Sequence, residues 1–159
     1  MPILTVALTG GIATGKSVVA NILKERGCYI HSADRAAHEV MRPGRPAWRK
    51  IVSHFGPQVL NSDQTINRSR LGMIVFSDRR EREFLNRLIH PLVLKKKKEI
   101  IRRLEKAGAY QIFVSEAALT IESGFGSFFD KIVVVFCPEN VQIRRLMERD
   151  GITLAEARK

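Results

Sequence analysis

The clearest structural signal in this chain lies near its start, in Leu4-Thr-Val-Ala-Leu-Thr-Gly-Gly-Ile-Ala-Thr-Gly-Lys-Ser17. The stretch begins with apolar and β-branched residues, as a buried strand does, and then breaks into glycines. Gly10, four further residues and Gly15-Lys16-Ser17 satisfy the pattern G-x-x-x-x-G-K-[S/T]. Residues 18–26 then follow the period of an amphipathic helix. A strand, a glycine-rich turn and a helix in this order predict a loop whose backbone N–H groups bind phosphate oxygens.

Each residue type in this loop suits phosphate chemistry. Glycines let the backbone approach phosphate oxygens closely, and Lys16 can reach the β- and γ-phosphates of a nucleotide. The hydroxyl of Ser17 is placed to bind Mg²⁺. The sequence therefore predicts ATP and Mg²⁺ as cofactors, with Ser17 as a metal ligand. The residues expected to hold the nucleotide are Gly10, Gly11, Ile12, Ala13, Thr14, Gly15, Lys16 and Ser17.

The length and composition fit one globular domain with a small subdomain. The chain has 159 residues, of which 45% are hydrophobic, enough for a core. Cys28 and Cys137 lie far apart in apolar surroundings, which predicts buried, reduced thiols and a cytoplasmic location. No run approaches the roughly 18 apolar residues of a membrane span, so no membrane partner is expected.

The charge is strongly positive, because 27 Lys and Arg residues face only 16 Asp and Glu residues, a formal +11. Such a balance is typical of proteins that bind nucleic acid, and also of proteins that attract small anions such as nucleotides. One Trp and two Tyr are present, and none lies in a basic cluster, so nucleic acid is the less favoured partner. We interpret the basic run at 95–98 as a solvated helical face.

The rest of the chain alternates strands and helices around a helical block. Strand character returns at 28–31, at 111–114 and at 132–136, and the last run predicts a central strand buried on both faces. The prolines at 43 and 46 end one helix, and 47–104 reads as wholly helical with a stop at His90-Pro91. Capping boxes are expected at Asp78 with Glu81 and at Thr153 with Glu156.

This order predicts an α/β fold of the P-loop type, a three-layer α/β/α arrangement with a parallel sheet. Residues 1–41 and 109–159 would form the nucleotide-binding core, with a partial lid at the C-terminal end. Residues 42–108 would form a helical insertion that binds the substrate. Since parallel strands present their carboxyl ends at one edge, the loop, Asp34 and Glu116 are expected to converge on one crevice.

Several motifs, read in order, resemble those of dephospho-CoA kinases over nearly the whole chain. They are the loop at 9–17, Ser32-Ala-Asp34 with His38, Phe55-Gly56, Asn67-Arg68, Leu71, Ile74-Val-Phe76, Leu85-Asn86, Ile89-His90-Pro91, Glu116 to Gly124, and Gln142 to Asp150. The resemblance implies ATP-dependent phosphorylation of the ribose 3′-hydroxyl of dephospho-CoA, the last step of coenzyme A synthesis.

The same resemblance assigns expected roles to individual residues. Asp34 takes the catalytic position, where a carboxylate would accept the proton of the attacking hydroxyl, although it could also cap the following helix. Arg145 and Arg149 match lid arginines that neutralise the transferring phosphoryl group, with Lys16 as the third cationic catalytic residue. The residues expected to bind the acceptor are Asp34, Arg68, His90, Glu116 and Glu122. Simple packing for His90 and a surface position for Glu122 are the alternatives, and either glutamate could instead hold Mg²⁺ through water.

The chain departs from the family pattern in two places. Ala118-Leu-Thr-Ile-Glu122 replaces a proline- and leucine-containing run, and the family's last strand, terminal helix and remaining lid are expected to be absent. We therefore expect an exposed sheet edge, low stability, weak nucleotide affinity and little or no activity for this polypeptide. The alternative functions are another P-loop kinase acting on a nucleotide or small alcohol, and a basic nucleotide-dependent RNA-binding module.

Overall fold

A computed structural model describes residues 2–117 and 124–158 of the chain. The strands and helices, in chain order, are β1 (Leu4–Thr9), α1 (Lys16–Glu25), β2 (Tyr29–Ser32), α2 (Ala33–Val40), α3 (Pro46–Phe55), α4 (Arg68–Ser77), α5 (Arg79–Ala107), β3 (Ile112–Glu116), β4 (Lys131–Val134), α6 (Glu139–Asp150) and α7 (Leu154–Ala157). Short 3₁₀ helices cover Pro57–Val59 and Phe125–Phe128.

The chain divides into two compact units. The sheet unit contains Met1–Ser32 and Ile101–Lys159, and the helical unit contains Ala33–Ile100. The sequence placed the corresponding boundaries at 42 and 108. The difference at the first boundary arises because α2 carries Ala37 and Val40, which pack against the core of the helical unit. The second boundary falls inside α5.

The sheet unit contains four parallel strands in the order β2-β3-β1-β4. The register aligns Leu8 and Ser32 with Glu116, and Thr9 with Val134, so the strands end at a common level. Side chains of β1, α1 and β3 form the core of this unit, which includes Val6, Leu8, Ala20, Cys28 and Val114. The predicted parallel α/β fold is confirmed.

Strand β4 differs from its prediction. The β-branched run at 132–136 predicted a central strand buried on both faces, and this is wrong, since β4 is an edge strand among the described residues. All four of its residues are exposed, with Val134 at 55%. The error arises because a continuous apolar run indicates that a strand is hydrophobic. It does not indicate which neighbouring elements cover that strand.

The helical unit has its own apolar core, built from α2, α3, α4 and the first half of α5. The fully or nearly buried side chains are Ala47, Ile51, Phe55, Val59, Leu71, Val75 and Ile89. Two of the helices begin with residues suited to helix starts. Pro46 occupies the first turn of α3, and Asn67 caps α4 by accepting a hydrogen bond from the Arg70 N–H at 3.0 Å.

Helix α5 is continuous for 29 residues and contains Pro91, whereas the sequence predicted two helices separated at His90-Pro91. Proline leaves the carbonyl four residues earlier, that of Arg87, without its helical donor. Both residues are exposed, so water can satisfy that carbonyl, and the helix continues. The predicted capping box at its start is only half present, because Asp78 accepts from the Arg80 N–H while Glu81 binds His54 at 2.6 Å.

The basic run at 95–98 is not the uniformly solvated face that the sequence suggested. Lys97 is buried at 4% exposure, and Lys96 forms an ion pair with Glu39 of α2. Only Lys95 and Lys98 of the four are exposed. Burial therefore divides the run according to helical geometry, since residues one position apart on a helix point about 100° apart.

The sequence also predicts the cap of α7 and the state of the two cysteines. Thr153 and Glu156 form the predicted capping box at α7. Cys28 and Cys137 are both free thiols, the first buried and the second half-buried. Two aromatic side chains, Phe76 and Phe136, are 82% and 83% exposed. Within the described residues, no helix combines the length and apolar character needed to cross a membrane.

Candidate active site

The glycine-rich loop between β1 and α1 adopts a strained, compact conformation. Gly10 and Gly15 have φ values of +155° and +97°, and Ala13 has a positive φ of 56°. A side chain at Gly10 would lie 2.3 Å from the carbonyl oxygen of Val135, so only glycine fits there. The Thr14 hydroxyl donates to the Gly11 carbonyl at 2.9 Å from a buried position. The loop is thus held by its own backbone and closes directly onto the N-terminus of α1.

Two polar side chains lie at the end of this loop. Lys16 Nζ donates to the Gly10 carbonyl at 3.1 Å, so the ammonium group is folded over the loop. Ser17 Oγ donates to Glu116 Oε1 at 3.1 Å, which joins the first turn of α1 to the end of β3. A cation, a hydroxyl and a carboxylate therefore lie at the helix end where an anion is favoured.

Residues 135–145 form a second wall beside the loop. The Val135 N–H donates to the Thr9 carbonyl at 2.8 Å, continuing the sheet register beyond β4. Gln142 Nε2 donates to the Cys137 carbonyl at 2.9 Å. Arg145 Nη1 lies 3.2 Å from the Thr14 carbonyl and 3.4 Å from that of Ala13.

The loop and this wall enclose a cleft of about 490 Å³. Its lining consists of residues 11–18 together with Arg145 and Arg149. The two arginines differ in their present contacts: Arg145 lies on the loop carbonyls, while Arg149 forms a bidentate ion pair with Asp150 at 2.7 and 2.8 Å. Arg144, their exposed neighbour, points away toward Glu148, as expected for adjacent helical residues.

In the helical unit, the charged side chains of Asp34 and Arg68 interact with His38. Asp34 lies in the first turn of α2, and His38 follows it by four residues, on the same side of the helix. Burial lowers the pKa of His38, and the positive charge of Arg68 lowers it further, while the carboxylate of Asp34 acts in the opposite direction. The three side chains therefore interact electrostatically, with His38 favoured in its neutral form at pH 7.

His90 lies farther along the helical unit, on α5, beside an open cleft of about 420 Å³. That cleft is lined by Glu83, Asn86, Arg87, His90 and Pro91. Burial lowers the pKa of His90, and the ammonium group of Lys97, two turns away on the same helix, also lowers it. Burial lowers the pKa of Lys97 itself to about 8.

The structure thus distributes the predicted residues over the two units. The sheet unit holds the loop residues, Glu116, Arg145 and Arg149, and the helical unit holds Asp34, Arg68 and His90. Glu122 lies outside the described residues. Sequence reasoning did not assign contacts to Gln142 or Asn86. His38 was detectable from its spacing of four residues after Asp34, but the contact of Gln142 with Cys137 had no comparable signal, because it depends on how β4 meets α6.

Comparison with known proteins agrees with this geometry. A sequence model of the family described as dephospho-CoA kinase matches residues 4–159. A dephospho-CoA kinase of Geobacillus kaustophilus is 44% identical over 98% of this chain and 77% of its own length. One of Syntrophus aciditrophicus is 45% identical over 97% of this chain and 66% of its own length. The chain therefore spans about two thirds to three quarters of these relatives.

Solved structures give the same result. A crystal structure of a Thermus thermophilus protein superposes with a TM-score of 0.84 at 25% identity, covering 99% of this chain and 78% of that chain. A dephospho-CoA kinase from Campylobacter jejuni gives a TM-score of 0.65 at 30% identity, covering 97% of this chain and 76% of its own. With a family match over almost every residue, a phosphate loop and a parallel P-loop-type sheet, the chain belongs to the dephospho-CoA kinase family.

Proposed function

We propose that this kinase transfers the γ-phosphoryl group of ATP to the ribose 3′-hydroxyl of dephospho-CoA, the final step of coenzyme A synthesis. The observation that carries the proposal is the phosphate loop with Lys16 and the Ser17–Glu116 hydrogen bond, in a chain whose relatives are named dephospho-CoA kinases. Phosphoryl transfer needs little covalent chemistry from the protein, so positioning and charge neutralisation supply most of the rate.

On the donor side, the backbone N–H groups of residues 10–17 would bind the phosphates of ATP. Lys16 would exchange its hydrogen bond with the Gly10 carbonyl for the β- and γ-phosphate oxygens. Arg145 and Arg149 line the same cleft, and their guanidinium groups would neutralise charge that develops on the transferring phosphoryl group.

The oxygen atoms at Ser17 and Glu116 fit a magnesium ion. Mg²⁺ prefers a few oxygen ligands from the protein and completes its octahedral shell with water and phosphate oxygens. The Ser17 hydroxyl would be the direct ligand, and the Glu116 carboxylate would accept hydrogen bonds from bound water. When bound, the ion supplies positive charge next to the β- and γ-phosphates. Glu122 is a further carboxylate proposed for acceptor or metal binding.

On the acceptor side, Asp34 would orient the 3′-hydroxyl and accept its proton during attack on the γ-phosphorus. Arg68 supplies a permanent positive charge that suits the pyrophosphate of the acceptor. His90, beside the cleft with Asn86 and Arg87, would contact the same substrate. We place the reaction in the cytoplasm, a reducing compartment that suits the free thiols of Cys28 and Cys137.

The test compares acceptors at fixed MgATP. ADP release is measured with dephospho-CoA, AMP and shikimate, and the ratio of kcat/KM values is used because it does not depend on the overall rate. The kcat/KM for dephospho-CoA should exceed that for AMP or shikimate by at least about 100-fold, because a polar site rejects acceptors that leave its hydrogen-bonding groups unpaired. Equal or faster turnover of AMP or shikimate would contradict the proposal.

The role of Asp34 is tested in the same assay. Asp34→Asn should lower kcat by about 10²- to 10⁴-fold, the usual contribution of a general base. Asp63→Asn, in an exposed turn, is the matched control and should leave kcat unchanged. A full-rate Asp34→Asn enzyme would remove Asp34 from the mechanism. Salt-dependent RNA binding that survives Asp34→Ala, without acceptor turnover, would favour the RNA-binding alternative.

A further inference from the structure

The side chain of Gln142 lies between the segment that follows β4 and the phosphate loop. It lies in the first turns of α6, and its Nε2 donates to the carbonyl of Cys137, which follows β4, at 2.9 Å. Its Oε1 is on the side of the phosphate loop, where it would lie 3.4 Å from a Cβ atom placed on Gly11. The amide therefore fills the space between the end of the sheet and the loop.

The neighbouring contacts lie on the same side of the loop. On one side of Gly11, the Val135 carbonyl approaches Gly10 so closely that no side chain fits between them. On the other side, Arg145 contacts the carbonyls of Ala13 and Thr14. Gln142 Oε1 faces Gly11 between these two points, so the wall lies along the loop from Gly10 to Thr14.

We propose that Gln142 is a positioning residue for the phosphate loop, whose side-chain amide fixes the backbone at Gly11 against the segment that joins β4 to α6. It acts on the bound polyphosphate through the loop and does not touch the base or the acceptor. The inference rests on the proposed function only in requiring that the loop binds polyphosphate.

The experiment measures binding without any acceptor, so that its result does not depend on dephospho-CoA turnover. Calorimetry gives the Kd of MgATP and of magnesium tripolyphosphate, which has triphosphate but neither ribose nor base. Gln142→Met keeps the length of the side chain and removes both hydrogen-bonding atoms. This variant should raise the Kd of both ligands by the same factor, about threefold to tenfold, as expected for the loss of one hydrogen bond. Asn140→Ala, which removes an exposed amide from the same helix, should change neither Kd.

The outcomes are distinct. Weaker binding of MgATP with unchanged binding of tripolyphosphate would mean that Gln142 contacts the base or ribose. An unchanged Kd for both ligands would mean that Gln142 does not position the loop. Either result overturns the proposal. Where the enzyme turns over, Gln142→Met should raise KM for ATP and leave KM for dephospho-CoA unchanged. The tripolyphosphate measurement needs no turnover, so a wrong acceptor assignment would leave its result valid, and the two failures are distinguishable.

A second measurement separates positioning from general destabilisation. The backbone amide resonances of Gly10 and Gly11 fall in the well-separated glycine region of a ¹⁵N-correlation spectrum, so they report on the loop directly. In Gln142→Met these two resonances should shift, while that of Gly44 in the helical unit should not. Shifts distributed equally over all glycines, or none at Gly10 and Gly11, would overturn the proposal even if the variant is less stable.

Discussion

The hydroxyl of Ser17 donates a hydrogen bond to Glu116 Oε1 at 3.1 Å, across 99 residues of sequence. Ser17 lies in the first turn of α1 and Glu116 ends β3, the strand that pairs with β1 through Leu8 and Glu116. The parallel pairing of β1 with β3 therefore places the Glu116 carboxylate at the end of the phosphate loop. This contact places a hydroxyl and a carboxylate, oxygen groups of the kind found around magnesium in proteins, beside the loop that would hold the phosphates.

Replacing Glu116 with Gln should separate metal binding from phosphate binding. The amide keeps the size of the side chain and can still accept from Ser17, but it lacks the negative charge that orients metal-bound water. We expect ATP affinity in the presence of Mg²⁺ to fall about tenfold, the lower limit for such groups, with little change in the presence of EDTA. Glu148→Gln, on the exposed face of α6, is the control. An equal loss with and without magnesium would contradict this role.

Arg145 and Arg149 should respond differently to replacement by lysine. Arg145 Nη1 lies within reach of two loop carbonyls, a geometry that a lysine ammonium on a flexible stem does not reproduce. Arg149 pairs with its neighbour Asp150 at the surface. We therefore expect Arg145→Lys to lower kcat/KM for ATP about tenfold more than Arg149→Lys, since a preorganised donor contributes about 10²- to 10³-fold. Steady-state kinetics at varied ATP concentration measure both effects. A larger loss of kcat/KM in Arg149→Lys than in Arg145→Lys would contradict this assignment.

The parts of the structure that the sequence predicted well are those specified locally. The loop at 9–17 has a fixed spacing of glycine, lysine and serine, and Gly10 and Gly15 have the positive φ values that glycine adopts readily. The cap of α7 is likewise decided within four residues, by Thr153 and Glu156. The parallel sheet followed from the alternation of strands and helices, because parallel strands require helical connections.

The parts that could not be predicted depend on how each segment is surrounded in the folded chain. Nothing in the apolar run at 132–136 indicates that it lies at the edge of the described sheet. The continuity of α5 through Pro91 depends on the exposure of Arg87, whose carbonyl loses its helical donor. The contact of Gln142 with Cys137 depends on the angle between a strand and the following helix, which no local pattern encodes.

Asn67→Ala should destabilise the helical unit through the start of α4. The Asn67 side chain accepts from the Arg70 N–H at 3.0 Å and donates to Asn61 Oδ1 at 2.7 Å, so it joins the helix to the preceding turn. Loss of such a cap costs about 1–2 kcal/mol of unfolding free energy. Asn21→Ala, at an exposed position inside α1, is the control and should change stability by less than about 0.5 kcal/mol. Urea denaturation of both variants measures the difference, and equal stabilities would refute the capping role.

Lys97 should make the stability of the protein depend on pH in the alkaline range. Burial lowers its pKa from 10.5 to about 8, so the folded protein loses this proton near pH 8 and the unfolded chain near pH 10.5. Below pH 8 both states carry the charge, and folding bears the full cost of burying it, about 3 kcal/mol. Between pH 8 and 10.5 the unfolded state binds more protons, so this cost diminishes as the pH rises.

Lys97→Met removes the charge and keeps most of the apolar volume. At pH 7 the variant should unfold with a free energy larger than that of the wild type, by up to about 3 kcal/mol, and the difference should shrink toward zero by pH 10.5. Lys98→Met, the exposed neighbour on α5, should show neither effect. Other groups also titrate in this range, so the quantity to measure is the difference between variant and wild type in urea denaturation at each pH. A difference that stays constant from pH 7 to pH 10.5 would show that Lys97 is not desolvated in the folded protein, because only a charge buried on folding couples proton release to unfolding in this way.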